Sequence, residues 1–338
     1  MRSAPQFKPD YAPALLLSFM YIGHVFSVRR SLFNELGGFR KAFDGSQDYD
    51  FALRAVERAR HVGHVPKVLY SWRIAPGSTA ASADAKPESF EAGRKAVEGA
   101  LIRRGAGGSA VHPEWARAAK CGIFSVDFPD TGPAVTLIIP TRDKLDLLRP
   151  CVESLSKTTY RNFQIMIVDN DSQEPETATY LANLTRKANV RVERISNEGR
   201  AFSYARINNE AVRRAQTEFV LLLNNDTEVR EPRWLSQMMG QARMQGVGAV
   251  GAKLLFGDGT VQHAGIVHGM YDGMAGPAFR NRDCHDWGYL NFLKVSREYA
   301  AVTAACLLMR KSLYEQIGGL DEKRFNVAYN DVDLCYRI

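Results

Sequence analysis

Residues 218–227 read EFVLLLNNDT, an apolar run that ends abruptly in polar residues. Five consecutive apolar residues are too few for an independent helix, and burial on both faces is typical of a strand in a parallel sheet. In open α/β sheets ligands bind at the carboxyl ends of the strands, where Asn224, Asn225 and Asp226 would lie. A carboxylate beside two amides suits a divalent cation shared with substrate phosphates. Ordinary turn chemistry explains the same four residues, so the choice depends on the rest of the chain.

The amino-acid composition limits the classes of protein to which this chain can belong. The 338 residues are 45% hydrophobic and 24% charged, which is typical of a soluble globular protein with about two domains. No apolar run approaches the ~20 residues that cross a bilayer. The net charge of +7 favours phosphorylated ligands or an anionic membrane face, but the basic residues are scattered, which does not favour nucleic acid. The five cysteines lack a paired metal spacing and predict reduced thiols in a cytosolic protein.

From Ala134 onward, apolar strands alternate with amphipathic helices. The predicted strands are 135–139, 163–168, 190–195 and 219–223, and the predicted helices are 145–157, 175–187 and 204–215. This alternation predicts an α/β domain with a mostly parallel, doubly wound sheet flanked by helices. The first, second and fourth strands end in polar residues, so we expect a nucleotide site at that edge of the sheet.

The chain before Ala134 follows a different pattern. Residues 48–60 and 87–104 predict helices. Residues 65–73 predict a strand, and their proline indicates that it lies at the edge of a sheet. Residues 74–83, IAPGSTAASA, are small and rich in helix breakers, which indicates a linker.

The end of the sequence resembles its beginning. Five residues recur at a constant offset of 281, and four more recur after a short insertion: Arg29, Ser31, Leu32, Gly37, Gly38, Phe43, Asp48, Asp50 and Arg54 match Arg310, Ser312, Leu313, Gly318, Gly319, Phe325, Asp331, Asp333 and Arg337. A shared supersecondary unit explains nine matches in order. We therefore expect the acceptor-side half of a truncated first domain at 1–75, a linker with a helix at 76–133 and a second, C-terminally truncated domain at 134–338. On this interpretation the chain is a fragment of a tandem protein.

Five motifs in order carry a resemblance to a known family. They are VTLIIPTRD at 135–143, IVDNDS at 167–172, NEGR at 197–200, LLNND at 222–226 and NDVD at 330–333. Together they resemble the family 2 glycosyltransferases, inverting enzymes with the Rossmann-like GT-A fold, and especially the rhamnosyltransferase-like members that build bacterial surface polysaccharides. Each motif alone has low specificity, but five in order at sensible spacings are specific.

The resemblance assigns donor-binding roles to several residues. Asp169 is similar to the acid that reads the pyrimidine base, with Thr141 in the same pocket, because a carboxylate accepts the imide N–H of the base. An ordinary turn cap is the alternative for Asp169. The remaining residues of the nucleotide-sugar site are Asp143, Asn197, Gly199, Arg200 and Asn225.

The resemblance also implies a metal and a base. Asp226 is similar to the last acid of an Asp-X-Asp metal motif, with Asn224 in place of the earlier acid, and implies Mn or Mg on the diphosphate. His263 is a further candidate metal ligand, with a structural histidine as the alternative. Asp331 is similar to the general base that deprotonates the acceptor hydroxyl, and an N-cap is the alternative. Its counterpart Asp48 is expected to be inert.

The sequence thus predicts a hexosyl- or rhamnosyl-type glycosyltransferase that moves a sugar from a nucleotide-diphosphate sugar to a glycan or lipid-linked acceptor with inversion. The setting implied is cytoplasmic O-antigen or related polysaccharide synthesis, and peripheral association with the inner membrane stays open. Asp226 and Asp331 are expected to face one cleft. A nucleotidyltransferase would require a Gly-rich basic loop after the first strand, where PTRD stands at 140–143. A non-catalytic carbohydrate-binding or scaffold fragment is the other alternative.

Overall fold

The computed structural model describes residues 5–71 and 87–338, which form two compact units. The first unit comprises residues up to Phe128 together with Asp286–Glu298, and the second comprises Pro129–His285 and Tyr299–Ile338. None of the helices in the described ranges is long and apolar enough to cross a membrane.

The first unit is mainly helical. Its helices are α1 Pro13–Ser18, α2 Arg30–Glu35, α3 Gln47–Arg58, α4 Pro87–Arg103 and α5 Glu114–Ala118, with short 3-10 helices at Lys41–Phe43 and Tyr289–Asn291. The strands β1 Ser109–Val111 and β2 Ser125–Asp127 form an antiparallel pair. The predicted helices at 48–60 and 87–104 are confirmed. The edge strand predicted at 65–73 is wrong for residues 65–71, which form no strand; Trp72, Arg73 and the linker at 74–83 lie outside the described residues.

The second unit is built around a six-stranded sheet. Its strands are β3 Val135–Thr141, β4 Phe163–Asp169, β5 Val190–Arg194, β6 Phe219–Leu223, β7 Ala249–Gly251 and β12 Cys306–Arg310, in the spatial order β5-β4-β3-β6-β12-β7. The first four strands in this order are parallel, and β12 runs antiparallel to both β6 and β7. The mostly parallel sheet expected from the sequence is confirmed.

The remaining elements surround this sheet or follow it. The helices are α6 Leu145–Ser154, which continues as a 3-10 helix over Leu155–Lys157, α7 Pro175–Leu184, α8 Tyr204–Arg214, α9 Trp234–Ala242, α10 Met270–Gly273, α11 Lys311–Gln316 and α12 Asn330–Tyr336. Two small antiparallel pairs join β8 Leu254–Leu255 to β9 Val261–His263 and β10 Ile266–Gly269 to β11 Met274–Pro277.

Side-chain alternation along the strands explains why helices cover both faces of the sheet. In β6, Leu221 belongs to one apolar cluster with α6, α7 and α9, whereas its neighbour Leu222 belongs to the other with α8, α11 and α12. Successive strand residues point to opposite faces, so a strand buried on both sides has an unbroken apolar sequence. The result is a three-layer α/β sandwich, as the resemblance to the GT-A fold implied.

One polar network occurs in both units at the matched positions of the repeat. In α3, Arg54 donates to Asp50 and to the carbonyls of Leu36 and Gly38, at 2.7 and 2.8 Å. In α12, Arg337 donates to Asp333 and to the carbonyls of Ile317 and Gly319. Both networks join the helix to a turn whose two glycines have left-handed backbone angles, Gly37 and Gly38 in one case and Gly318 and Gly319 in the other. The sequence match therefore extends to matched hydrogen bonds.

Candidate active site

The polar strand ends lie together at the carboxyl edge of the sheet. Thr141 ends β3 directly beside Asp169 of β4, since these two residues are partners in the parallel register. Asn225, just after β6, donates from Nδ2 to Oγ1 of Thr141 at 3.1 Å. This contact joins the loop after β6 to the end of β3, as expected for residues that follow neighbouring parallel strands.

The antiparallel strand β12 brings a second segment to the same edge. Leu223 at the end of β6 is paired with Cys306 at the start of β12. The residues just before β12 therefore lie beside those just after β6, and the amide of Asn224 donates to the carbonyl of Ala305 at 3.1 Å. The sequence did not predict this strand.

Asp331 is held at this edge by two backbone amides. It lies half-buried in the first turn of α12, where Oδ2 accepts a hydrogen bond from the amide of Ala304 at 3.0 Å and Oδ1 accepts one from Val332 at 2.9 Å. Amide donors favour the ionised carboxylate and fix its orientation. The N-cap residue of α12 is Tyr329, so the N-cap considered for Asp331 is wrong; Asp331 is the second residue of the helix and also contacts the segment that precedes β12.

Tyr204, the first residue of α8, connects the two acids. Its hydroxyl donates to the carbonyl of Ala304 at 3.2 Å and lies 3.5 Å from Oδ1 of Asn224. Burial first, and then the negative charges of Asp331 and Asp226, raise the pKa of Tyr204 well above its ordinary value. The Tyr204 hydroxyl therefore lies between the side chain of Asn224, two residues before Asp226, and the carbonyl of Ala304, whose amide donates to Asp331.

The surroundings of Asp226 are rich in oxygen atoms. Its carboxylate is exposed and forms no hydrogen bond or ion pair with any residue in the ranges 5–71 and 87–338. Asn225 uses its amide nitrogen on Thr141, which leaves its Oδ1 without a partner in that part of the chain. Carboxylate and amide oxygens are the ligands that hard divalent cations prefer, so the donor set fits Mn or Mg.

On the other side of Thr141, two acids and an arginine form a polar network. Oδ1 of Asp169 accepts from the amide of Ser172 at 3.0 Å, and its Oδ2 lies 3.7 Å from Nη1 of Arg194. Oδ2 of Asp171 accepts from the amide of Asn197 at 2.9 Å, and this bond is the main reason that the pKa of Asp171 is lowered. The turn cap considered for Asp169 is therefore present, and its second oxygen is left for Arg194 or a ligand.

The loop at 197–200 contains one buried and two exposed candidates. Asn197 is buried, where it donates to Oδ1 of Asn170 at 2.9 Å and accepts from Arg206 at 2.9 Å. Gly199 has a φ of 75°, a left-handed conformation that favours glycine, and Arg200 forms an exposed ion pair with Glu198 at 3.0 Å. Asn197 therefore organises the loop through its side chain, and Gly199 and Arg200 lie at its surface.

Asp143 stabilises the start of a neighbouring helix. Its Oδ1 accepts hydrogen bonds from the amides of Gln173 and Glu174, at 2.8 and 2.9 Å, immediately before α7. Helix N-termini leave amides without intrahelical partners, and a carboxylate there is stabilised by the helix dipole. The Asp143 side chain therefore joins the loop that follows β3 to the loop that follows β4.

His263 is buried and accepts hydrogen bonds at one nitrogen. Its Nε2 accepts from the amides of Gly265 at 3.2 Å and Thr303 at 3.4 Å, which puts the ring proton on Nδ1. Burial lowers the pKa of His263 to about 4, although the carboxylate of Asp331 opposes this shift. A histidine ligates a metal through an unprotonated nitrogen, so a metal would have to displace both amides.

Elsewhere in the described ranges, one group of three side chains brings potential metal ligands together. Asp283, Cys284 and His285 have ligand atoms within 4.8 Å of one another, but they follow one another in the chain and two of them are exposed. This group does not include Asp226, the acid that the sequence predicts as a ligand of the cation on the substrate diphosphate.

A family comparison identifies this arrangement. Residues 136–318 match the model of the family described as "Glycosyl transferase family 2", which covers more than half of the chain. The chain belongs to this family. The match includes Thr141, Asp169 and Asp226 and ends before Asp331.

Two relatives match the whole chain. The uncharacterized protein y4gI of Sinorhizobium fredii is 42% identical, and the O-antigen biosynthesis protein RfbC of Myxococcus xanthus is 38% identical. The chain spans 37% of the length of the first and 26% of the second, so it corresponds to a minor part of each.

Two solved structures are more distant. The mannosyltransferase PcManGT from Pyrobaculum calidifontis, in complex with GDP-Man and Mn2+, shares 18% identity and a TM-score of 0.43 over 61% of this chain and 53% of its own. S. aureus TarS 1–349 in complex with UDP shares 17% identity and a TM-score of 0.41 over 60% and 54%. At TM-scores below 0.5 neither likeness bears on function.

In this family 2 glycosyltransferase, sequence motifs alone do not identify Tyr204 and Ala304 as part of the site. Ala304 contributes only backbone atoms, its amide to Asp331 and its carbonyl to Tyr204, so no side-chain pattern could reveal it. Tyr204 is the first residue of a predicted helix, and its contacts with Asn224 and Ala304 depend on the sheet order. Asp171 belongs to a motif that was recognised, but its contact with Asn197 depends on the loop conformation.

Proposed function

We propose that this chain transfers a sugar from a nucleotide-diphosphate sugar to a glycan or lipid-linked acceptor, with inversion at the anomeric carbon. The observation that carries the proposal is the position of the Tyr204 hydroxyl, which lies 3.5 Å from the side chain of Asn224, two residues before Asp226, and donates to the carbonyl of Ala304, whose amide donates to Asp331. Asp226 is exposed and Asp331 is half-buried, and both lie at the carboxyl edge of the sheet. Asp226 would bind the leaving group through a cation, and Asp331 would supply the base. The hexosyl- or rhamnosyl-type reaction is part of the same proposal.

The donor nucleotide would lie over the ends of β3 and β4. Asp169 has an oxygen that faces Arg194 at 3.7 Å, and this oxygen is the acceptor proposed for the imide N–H of a pyrimidine. Thr141 and Asn225 lie beside it, joined by their hydrogen bond. Asp143 and Asn197 would hold the surrounding loops, and Gly199 and Arg200 would approach the ribose and phosphates from the exposed loop.

A divalent cation, Mn or Mg, is the proposed cofactor. Asp226 would hold it together with amide oxygens of Asn224 or Asn225, and the substrate diphosphate would complete the coordination. When bound, the ion supplies charge neutralisation on the diphosphate leaving group. We do not include His263 in this proposed ligand set, because its Nε2 accepts from two backbone amides that a metal would have to displace.

Asp331 would act as the general base. Its carboxylate accepts the proton of the acceptor hydroxyl while the hydroxyl oxygen forms a bond to the anomeric carbon. The bond from that carbon to the diphosphate oxygen breaks with its electron pair on the leaving group, so the configuration inverts. The amides of Ala304 and Val332 hold the carboxylate in place for this step.

The biological setting follows from the family and from one relative. RfbC of Myxococcus xanthus is described as an O-antigen biosynthesis protein and is 38% identical to this chain. We extend this to cell-surface polysaccharide synthesis at the cytoplasmic side of the membrane, where lipid-linked acceptors and nucleotide sugars meet.

Ligand-dependent melting of the full chain tests the donor site. We expect UDP or dTDP to raise the melting temperature only in the presence of Mn or Mg, since the ion links Asp226 to the diphosphate. Asp226→Ala should abolish this shift and sugar transfer. The exposed acid Glu228, two residues further on, provides a matched control, and Glu228→Ala should retain both. Equal behaviour of the two variants contradicts the proposal.

A further inference from the structure

The first unit contains an aromatic face that has a buried counterpart in the second unit. We define the aromatic face as Phe26, Phe33, Phe39 and Phe51, whose neighbouring ring centroids lie 5.0–6.1 Å apart. By the offsets of the repeat, these residues match Leu307, Tyr314, Leu320 and Leu334. All four counterparts belong to the apolar cluster between the sheet and α8.

Burial differs sharply between the two copies. Leu320 is 1% exposed, whereas Phe39 at the matched position is 57% exposed. Cys306 is 3% exposed at the start of β12, and the matched Val25 is 68% exposed. Apolar side chains that are exposed together mark interaction surfaces more often than single ones do. Phe26 and Phe33 are half-buried and Phe51 is buried, so the first copy is uncovered at Phe39 and Val25, whose counterparts in the second copy are buried.

The backbone shows the same difference. β12 is hydrogen-bonded on both sides, to β6 and β7, while the matched residues 25–29 form no strand. In the second unit, Asn209 of α8 accepts from the amide of Leu320 and donates to its carbonyl, both at 2.9 Å. The amide and carbonyl of Phe39 make no hydrogen bond with any residue in the ranges 5–71 and 87–338.

The side chain of Asn209 also shows which groups a partner of the aromatic face would present. Its Oδ1 accepts from the hydroxyl of Tyr314 at 2.6 Å as well as from Leu320, and α8 adds Ile207, Ala211 and Val212 to the apolar cluster. A partner for the aromatic face would accordingly supply a helix with one carboxamide among small apolar residues, and a strand to pair with residues 25–29.

We propose that the aromatic face is a docking surface for the nucleotide-binding half of another family 2 glycosyltransferase domain. Within the second unit, α8 and β6 pack on β12, α11 and α12. The surface needs neither a bound donor nor sugar transfer. It can therefore fail or succeed independently of the catalytic proposal.

A grafted layer tests the proposal in the full chain. Residues 129–285 would be fused ahead of the intact chain, because the offset of 281 places residue 286 opposite residue 5. Phe39→Cys reports burial through its alkylation rate, measured by mass spectrometry of the peptide that contains it. We expect at least a tenfold slower rate in the fused chain. Ile102→Cys on α4, where Ile102 is 72% exposed, is the control and should react equally in both chains.

Two further outcomes decide against the proposal. An unchanged alkylation rate at Phe39→Cys in the fused chain overturns the proposal. This holds whether the grafted segment packs elsewhere or stays unfolded, because the aromatic face is proposed to order that segment. In the unfused chain, a Phe39→Cys alkylation rate as slow as that of the buried Cys306 also overturns the proposal, since the aromatic face would already be covered.

Asn209→Ala in the grafted segment alone should restore the alkylation rate of Phe39→Cys to at least a third of its value in the unfused chain. Full protection by that graft contradicts the carboxamide contact.

Discussion

The amide of Ala304 donates a hydrogen bond of 3.0 Å to Oδ2 of Asp331, 27 residues further along the chain. The carbonyl of the same Ala304 accepts from the phenol of Tyr204 at 3.2 Å. One peptide segment before β12 thus contacts both the proposed base and Tyr204, whose hydroxyl also lies 3.5 Å from the side chain of Asn224. Neither contact involves a side chain of Ala304, so substitutions at the two partners test the arrangement most directly.

Asp331→Asn should reduce the rate of sugar transfer by about 10²–10⁴-fold, because the amide keeps the shape of the side chain but cannot take a proton. Donor binding should be retained, since Asp331 is assigned to the acceptor side of the reaction. Steady-state transfer rates combined with nucleotide-dependent melting separate these two effects.

Asp48→Asn is the matched control for that substitution. Asp48 is the second residue of α3, as Asp331 is of α12; its Oδ1 accepts from the amide of Tyr49 at 2.8 Å, and it belongs to the first unit. We expect its replacement to leave transfer unchanged. A comparable loss of activity in both variants would show that loss of a carboxylate charge in the first turn of a helix, and not proton transfer, explains the effect.

Tyr204→Phe should destabilise the second unit by about 1 kcal/mol, because it removes the hydroxyl that donates to Ala304 and leaves that buried carbonyl without this donor. The transfer rate should fall with an unchanged donor affinity, since the segment that positions Asp331 loses one anchor. Unfolding by urea and the separate measurement of kcat and donor affinity check these outcomes. An unchanged kcat would remove Tyr204 from the positioning of the base.

The sequence predicted the sheet well because its central strands are buried on both faces. A run such as 219–223 has to be apolar throughout, so its position is visible without any tertiary information. β12 was not recognised, since it is antiparallel and its place between β6 and β7 depends on long-range pairing. The role of Ala304 was not predictable either, because a backbone amide has no side-chain signature. Asp169 and Asp226 were identified from motifs, and their ligand contacts stay predictions.

Acidification should weaken folding through His263. Its pKa is lowered by burial to about 4, so between pH 6.5 and 4 the unfolded chain binds a proton that the folded chain does not. Stability is therefore greatest above pH 6.5 and falls as the pH decreases towards 4, by about 2 kcal/mol at pH 5 relative to pH 7. Urea unfolding at the two pH values measures this difference.

His263→Gln is the test variant for this pH dependence, since its carboxamide oxygen can accept from the amides of Gly265 and Thr303 but does not titrate. We expect the difference between pH 7 and pH 5 to shrink by about 2 kcal/mol in this variant. If the variant shows the same pH dependence as the parent chain, other groups cause it.

The buried pair Arg54–Asp50 should be among the strongest polar contacts of the first unit. The Asp50 side chain is 1% exposed and accepts from Arg54 at 2.9 Å and from Arg40, while Arg54 also donates to the carbonyls of Leu36 and Gly38. Arg54→Met leaves a buried charge with one partner fewer and two carbonyls without their donor. We expect the free energy of unfolding to fall by about 3 kcal/mol, measured by native-state hydrogen exchange of the α3 amides.

Arg58→Met is the control for this substitution. Arg58, one turn further along α3, forms a surface pair with Glu35 and is 66% exposed, so its replacement should cost less than about 1 kcal/mol. Similar costs for the two variants would mean that burial of Asp50 does not govern the strength of the network.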